Sequence, residues 1–162
     1  KRRFKVMTEA KVEIPWLTTK PKTTVDLILY TQDELHILDY KTGKIVVEAF
    51  NNTQLLYYAA AWMHLAPKAK TVLLHIVQPW ANNIDTWMVR RERVLEFIWE
   101  LQDAEKEILS GSVALNPGDH CKFCAANPHT RGDKGTVMCP PMLNLLYPRV
   151  ELDEKEVLDG LE

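Results

Sequence analysis

Residues 25–41 read VDLILY-TQDE-LHILDYK, and this stretch decides the fold of the chain. Two apolar, β-branched runs flank four polar residues, a pattern that predicts two strands joined by a turn. Because side chains alternate along a strand, Asp39 and Lys41 are expected on one face, with Tyr40 on the other. Asp26 falls beside Asp39 if the two strands pair in the matching register. Charged groups are costly to bury without partners, so we expect these three side chains to bind a ligand together.

The ligand that suits this group of side chains is a hard divalent cation. Asp26, Asp39 and the backbone carbonyl of Tyr40 offer oxygen ligands. Mg²⁺ and Mn²⁺ prefer oxygen, and Mg²⁺ keeps several of its waters while taking one or two protein carboxylates. Lys41 would then stand over a metal-bound water, where it could orient or deprotonate that water and offset charge growing on a phosphoryl oxygen.

A helix is predicted to follow this hairpin. Asn51-Asn52-Thr53 supplies residues that favour a helix N-cap, and Pro67 ends the helix near Ala66. Gln54 and Tyr58 are four residues apart, so they share one face of the helix. For Tyr58 the alternative is simple packing in the core.

These residues together resemble a known family. Asp26, Asp39-Tyr40-Lys41 and Gln54-x-x-x-Tyr58 are similar to the motifs of the PD-(D/E)XK nuclease superfamily. The resemblance is greater to its RecB-type branch, which includes phage recombination exonucleases and CRISPR adaptation nucleases. It covers Glu9 to Tyr58, with Val25 before the first aspartate in place of the superfamily's proline.

The resemblance implies a restriction-endonuclease-like core and a role for each motif residue. Asp26 and Asp39 would hold the metal, Lys41 would serve the attacking water, and Gln54 and Tyr58 would flank the catalytic centre. Family members often carry a glutamate on the first strand near the metal, and Glu9 matches its usual place.

The other predicted elements complete an α/β fold. Alternation over Phe4–Ile14 predicts a strand, and two further apolar runs, 70–77 and 84–89, predict a hairpin. Apolar residues recur at helical spacing over 91–109, and Gly111 is the expected stop. That helix stripe consists of Val94, Leu95, Ile98, Leu101 and Ile108. We therefore predict a mixed central β-sheet flanked by helices over residues 1–115.

Composition indicates an ordinary globular domain. The chain has 162 residues, 46% of them hydrophobic and 26% charged, with a formal net charge of -2. This charge does not itself indicate nucleic-acid binding, which usually brings an excess of Lys and Arg. No run of 18 apolar residues predicts a transmembrane helix and no signal peptide is visible, so the expected compartment is the cytoplasm of a prokaryotic or phage-infected cell.

The predicted tail, residues 116–162, holds every cysteine and is expected to pack on the core. Cys121 and Cys124 form a Cys-x-x-Cys pair, and Cys139 follows after a polar loop. Three cysteines with one close pair favour metal or cluster ligation over a disulfide framework. An iron–sulfur cluster usually needs four thiolates. The alternatives are a zinc site completed by His120 or His129, or three unliganded thiols.

The function predicted from this resemblance is metal-dependent hydrolysis of DNA phosphodiester bonds. The expected enzyme is a Mg²⁺- or Mn²⁺-dependent DNA exonuclease, with an endonuclease as the alternative, in phage or prokaryotic recombination or DNA processing. DNA is the expected partner, alongside recombination or replication proteins, and oligomers occur among similar proteins. Two other interpretations stay open: a catalytically silent DNA-binding or scaffold subunit, and a subunit active only in a complex.

Overall fold

The computed structural model describes residues 3–111, 114–124, 139 and 141. The chain divides into two compact units, Lys1–Ser112 and Val113–Glu162. His129 lies outside the described residues, and the predicted packing of the tail on the core stays a prediction.

The first unit contains five strands and two α-helices in its described part. They are β1 (Lys5–Glu13), β2 (Lys22–Tyr30), β3 (Leu35–Tyr40), α1 (Thr53–Trp62), β4 (Thr71–Gln78), β5 (Asn83–Arg90) and α2 (Arg91–Ser110). Single turns of 3₁₀ helix follow α1 over Met63–Leu65 and β4 over Pro79–Ala81.

The five strands form one sheet in the order β1-β2-β3-β4-β5. Neighbouring strands are antiparallel except β3 and β4, which are parallel. Parallel neighbours need a crossover connection, and α1 supplies it. Helix α1 packs on β3 and β4, and α2 packs on α1 and β5. The prediction of an α/β fold with a mixed central sheet and packed helices is confirmed.

The sheet buries one face more deeply than the other. In β3 the alternate residues Leu35, Ile37 and Asp39 are buried, and in β4 every second residue from Val72 to Gln78 is buried. Strand alternation therefore places Asp39 on the face that α1 covers. This position explains how a carboxylate at the end of an apolar strand comes to lie under the helix that carries Gln54 and Tyr58.

The other face of the central strands carries a pair of stacked histidines. His36 Nδ1 lies 3.1 Å from His75 Nε2, and the two rings stack with centroids 5.3 Å apart. His75 Nδ1 lies 2.9 Å from the Thr86 hydroxyl. Burial lowers the pKa of both imidazoles, and the neighbouring His36 lowers that of His75 further. The neutral forms are therefore favoured, because loss of contact with water penalises the charged form of a base.

The helix ends follow from capping chemistry, with two corrections to the sequence prediction. Asn52 caps α1 by accepting a hydrogen bond from Leu55 N, and Gly111 ends α2 with φ 73°. The α-helical part of α1 ends at Trp62, because the chain tightens into a 3₁₀ turn before Pro67. The predicted stripe of α2 is wrong in two positions: Leu95 and Ile108 are exposed, while Val94 and Phe97 are buried. The deeply buried contacts thus lie in the first two turns of α2.

No helix in the described part of the chain combines the length and apolar character needed to cross a membrane.

Candidate active site

Three elements bring the predicted catalytic residues together at the carboxyl end of β3. The β2–β3 ladder ends at the pair Leu27–Leu38, one step before Asp26 and Asp39. Beyond this pair, Asp26 Oδ2 accepts a hydrogen bond of 2.7 Å from the backbone N–H of Tyr40. The register therefore places the two aspartates on neighbouring strands, and the Asp26 side chain takes the place of the next backbone acceptor in the ladder.

Asp39 is a buried carboxylate with one close cation. Its residue is 4% exposed, and Lys41 Nζ lies 2.8 Å from its Oδ2. Lys41 is the close partner of this oxygen, which is otherwise buried from water. Burial raises the pKa of the Asp39 carboxyl, the Lys41 ammonium opposes this, and the charge of Asp26 adds to it.

A directional chain of hydrogen bonds runs from Lys41 to Tyr58. Lys41 Nζ donates to Gln54 Oε1 at 2.7 Å, and Gln54 Nε2 donates to the Tyr58 hydroxyl at 2.6 Å. An ammonium group can only donate, so it fixes which end of the Gln54 amide faces Lys41. The four-residue spacing of Gln54 and Tyr58 on α1 makes the second bond feasible.

Glu9 lies across from Asp26 at a break in the β1–β2 ladder. The register pairs Thr8 with Leu27 and Ala10 with Val25, and leaves Glu9 and Asp26 unpaired between them. Glu9 is exposed and has φ 47°, a backbone conformation that residues with a Cβ rarely adopt. The irregular backbone is therefore next to a predicted metal ligand, where functional centres often hold such conformations.

The two carboxylates suit a cation that keeps most of its bound waters, rather than a metal that is surrounded by protein ligands. In the part of the chain that the structure describes, no group of three or more His, Cys, Asp and Glu side chains could hold a metal ion. Mg²⁺ needs only one or two carboxylates together with waters. Asp39 Oδ2 is buried with Lys41 Nζ at 2.8 Å as its close cation, so positive charge is already favoured at this oxygen. Asp26 and Asp39 are thus a compatible pair for Mg²⁺ or Mn²⁺.

A set of polar side chains that the sequence analysis missed holds the loop between Lys41 and Gln54. Gln78 is fully buried, and its Nε2 donates to Gly43 O and Ile45 O at 2.7 Å each. Its Oε1 accepts from Val47 N at 3.1 Å. Asn83 Nδ2 donates to Val47 O at 2.9 Å, and Asp85 Oδ2 accepts from Ala49 N at 2.7 Å. We call Gln78, Asn83 and Asp85 the loop clamp.

One member of the loop clamp, Gln78, was detectable from the sequence. Gln78 continues the alternation of buried residues in β4, so a polar side chain stands where an apolar one is expected. Buried polar side chains are nearly always hydrogen-bonded. The position therefore marks a structural or functional constraint, although the sequence does not tell which backbone groups the amide meets.

The second unit brings the predicted cysteine ligands into one cleft. A cleft of about 340 Å³ is lined by residues that include His120, Cys121, Cys124 and Cys139. The Cys-x-x-Cys turn closes with Cys124 N donating to Cys121 O at 3.0 Å, and Gly118 N donates to Cys121 Sγ at 3.4 Å. These side chains line one cleft, but within the described residues they are not gathered closely enough to hold a metal ion.

Two comparisons with known proteins gave matches. A solved structure titled "Crystal structure of SSO0001" is similar to this chain with a TM-score of 0.42 and 15% sequence identity. The similarity covers 74% of this chain and 56% of that chain, so this chain spans a little over half of that protein's length. A family described as "Protein of unknown function (DUF2800)" matches residues 2–145. The chain therefore belongs to the DUF2800 family.

Proposed function

We propose that this protein is a Mg²⁺- or Mn²⁺-dependent deoxyribonuclease of the PD-(D/E)XK superfamily, RecB-type branch. The observation that carries the proposal is the linked set Asp39–Lys41–Gln54–Tyr58, with Asp26 on the neighbouring strand. Two acids and an amine on adjoining strands, with Gln and Tyr from the next helix, match the motif order of that superfamily.

Each side chain has a role that follows from its contacts. Asp26 and Asp39 would hold the cation, which when bound supplies a Lewis acid for the phosphoryl oxygen. Lys41 lies between Asp39 Oδ2 and Gln54 Oε1, so its ammonium is held in one place. From there it orients the attacking water and offsets negative charge on the phosphate. Preorganised charge of this kind often supplies the largest single part of catalysis.

The test is cleavage of DNA with and without divalent cations. Linear and circular DNA, single- and double-stranded, is incubated with Mg²⁺, Mn²⁺ or chelator. We expect cleavage with either metal and none with chelator, with loss of linear DNA alone indicating an exonuclease. Asp39→Asn and Lys41→Gln should each lower the rate by about 10²-fold or more.

Two neighbouring exposed residues provide matched controls. Asp33→Asn lies in the β2–β3 turn and Lys44→Gln in the loop after β3, and both residues are exposed. These variants make the same chemical changes within a few residues of the catalytic ones and should retain the rate. Cleavage that persists in chelator or in Asp39→Asn would contradict the proposal.

The outcome without cleavage distinguishes the other two functions. Binding of DNA with no cleavage under any metal indicates a catalytically silent DNA-binding or scaffold subunit. Cleavage that appears only after recombination or replication proteins are added indicates a subunit active in a complex. In both cases the fold is retained but the isolated centre does not catalyse.

We further propose that the tail holds Zn²⁺ or an iron–sulfur cluster through Cys121, Cys124 and Cys139. The cleft that these cysteines share with His120, and the N–H donated to Cys121 Sγ, support this proposal. Thiolates with histidine suit zinc, whereas a cluster requires a fourth thiolate as a rule. Elemental analysis and the visible absorption of anaerobically purified protein separate iron from zinc, and metal-free protein would refute the proposal.

A further inference from the structure

A cleft at the far end of β2 from Asp26 has no part in the candidate active site. It is lined by the start of β1, the end of β2 and the segment that follows α1. Its volume of about 530 Å³ is in the range of small-molecule pockets. Tyr30 in its lining lies four residues beyond Asp26, about 13 Å along the strand, so the cleft is separate from the two carboxylates.

Strand geometry directs the cationic side chains of the cleft to one face of the sheet. Lys5 pairs in register with Tyr30, and the register continues to the buried start of β3 on the face that α1 covers. Lys5 Nζ lies 5.8 Å from the centre of the Tyr30 ring. Arg3 precedes Lys5 by two residues, and Phe4 between them contacts His36 on the other face. Arg3, Lys5 and Tyr30 therefore line the cleft from the same side.

The charge of this cleft favours an anion. Neither Arg3 nor Lys5 forms an ion pair with any described residue, and the described lining contains no carboxylate. Asp33 and Glu34 of the neighbouring turn lie outside that lining. The carboxyl end of α1 contributes about half a negative elementary charge, which two full positive charges outweigh. A ligand with two negative charges would therefore neutralise the cleft.

The hydrogen-bonding groups of the cleft are mainly donors, which matches a phosphate. Thr31 Oγ1 accepts from the backbone N–H groups of Asp33 and Glu34 at 3.1 and 3.0 Å, so its own O–H can donate to another group. Guanidinium and ammonium groups can only donate, and the guanidinium fork of Arg3 suits phosphate oxygens. A phosphate monoester carries about two negative charges near neutral pH and three acceptor oxygens. It therefore fits both the charge and the donors of the cleft.

The rest of the lining suits an organic group attached to the phosphate. A phosphate is only a few times larger than a water molecule, whose share of liquid volume is about 30 Å³, so it would fill a small part of the cleft. Tyr30, His64 and Leu65 add two rings and an apolar side chain to the lining. The His64 ring is held in place, since it stacks on Trp62 with centroids 5.8 Å apart and its Nδ1 lies 3.1 Å from Ala61 O. Flat side chains of this kind favour a planar ring in the ligand.

We propose that this cleft binds a small phosphate monoester that carries a planar ring, a class that includes nucleoside monophosphates. Arg3 and Lys5 hold the phosphate, and Thr31 donates a hydrogen bond to it. The ring of the ligand packs against Tyr30 and His64. This inference goes beyond the proposed function, because binding here requires neither DNA nor a divalent cation.

The experiment measures ligand binding by isothermal titration calorimetry in the presence of chelator. Adenosine monophosphate and phenyl phosphate are the two ester probes, and adenosine and inorganic phosphate each lack one part of the ligand. The cleft variant is Arg3→Gln/Lys5→Gln. The control variant is Lys11→Gln/Arg90→Gln, which also loses one lysine and one arginine, at exposed positions outside the cleft. Thermal melts verify that both variants fold.

The expected result is that the wild type and the control variant bind both esters, while the cleft variant binds them about 10-fold or more weakly, because it loses charged hydrogen bonds. Adenosine and inorganic phosphate should each bind the wild type more weakly than adenosine monophosphate does. Failure of the wild type to bind either ester overturns the inference. Equal affinities of the cleft and control variants overturn it as well, as does inorganic phosphate that binds as tightly as the esters.

The variant Asp39→Asn distinguishes this cleft from the candidate active site. Its affinity for adenosine monophosphate should equal that of the wild type, and a loss as large as that of the cleft variant would overturn the inference. The proposed function is tested separately by DNA cleavage. Ester binding in a protein that never cleaves DNA supports the cleft and removes the nuclease proposal, whereas cleavage without ester binding does the reverse.

Discussion

Replacement of Gln78 by Ala should destabilise the protein by about 3 kcal/mol, because it removes three hydrogen bonds to the backbone that are each worth about 1 kcal/mol net. The side chain is fully buried and makes three hydrogen bonds to the backbone of residues 43–47. The partner groups lie in a loop that is largely exposed, where water can take the place of the lost amide. No further penalty for unpaired backbone groups is therefore expected.

Urea denaturation measures this change, and Gln102→Ala provides a matched control. Gln102 makes one hydrogen bond to the backbone, from its Nε2 to Trp16 O at 3.0 Å, so its replacement should cost about 1 kcal/mol. Hydrogen exchange gives a second readout. Val47 N donates to Gln78 and Ala49 N to Asp85, so Gln78→Ala should expose the Val47 amide more than that of Ala49. Equal costs for the two glutamine variants, with Val47 exchange unchanged, would falsify the reasoning.

Three further predictions concern charge. Burial disfavours the Asp39 carboxylate, so Asp39→Asn should raise the free energy of unfolding by about 1 kcal/mol at pH 7. Urea denaturation measures this change, with Asp33→Asn as the control. An unchanged or lowered stability would count against the prediction. Burial holds the pKa of His36 and His75 below the unfolded value of 6.5, so the unfolded chain binds more protons below that pH. Stability should therefore be full above pH 6.5 and fall as pH drops through the folded pKa values, and His75→Gln should reduce this slope in urea midpoints recorded from pH 7.5 to 5. Hydrogen bonds from Thr19 and Thr18 lower the pKa of Glu105 from 4.5 to about 2. The stabilising contribution of Glu105 is therefore present above pH 4.5 and lost as pH falls toward 2. Acid-unfolding curves of Glu105→Gln should lack this loss of stability.

The fold was predictable because its strands carry strong local signals. The two apolar runs around residues 31–34 predict β2 and β3, and Asn52 and Gly111 mark helix ends by their capping chemistry. The order of elements then requires a crossover between β3 and β4. These features depend on residues close together in sequence, which is why a single chain reveals them.

The residues of the candidate site were predictable from the sequence, but the hydrogen bonds that link them were not. The spacing of Asp39, Lys41, Gln54 and Tyr58 suggested one centre, but the bond from Lys41 to Gln54 depends on the path of the loop between them. That path is fixed by the loop clamp, whose members lie more than 30 residues further along the chain. Side-chain bonds to backbone across such separations have no periodicity in the sequence.

The irregular position of Glu9 shows a second limit of sequence patterns. Alternation from Phe4 to Ile14 predicts a regular strand, yet Glu9 has φ 47° and the ladder skips it together with Asp26. Val25 and Ile28, three residues apart, are both fully buried, so the buried side of β2 changes phase at Asp26. In a regular strand, side chains three residues apart point to opposite faces of the sheet, so Val25 and Ile28 could not both lie on one buried face.

The loop clamp and the ladder break lie on either side of a buried acid that we expect to lower the stability of the protein. Asp39 lies where β3 leaves the sheet, with the break beside Asp26 on one side and the clamped loop on the other. A flexible loop would let Lys41 move away and leave the Asp39 carboxylate buried without a cation, which is costly. We therefore expect Gln78 to do more than fix a loop: by holding the chain between Lys41 and Gln54, it would keep Gln54 Oε1 in place as the acceptor that holds the ammonium beside the carboxylate. If so, Gln78→Ala should reduce activity as well as stability, whereas Gln102→Ala should reduce stability alone.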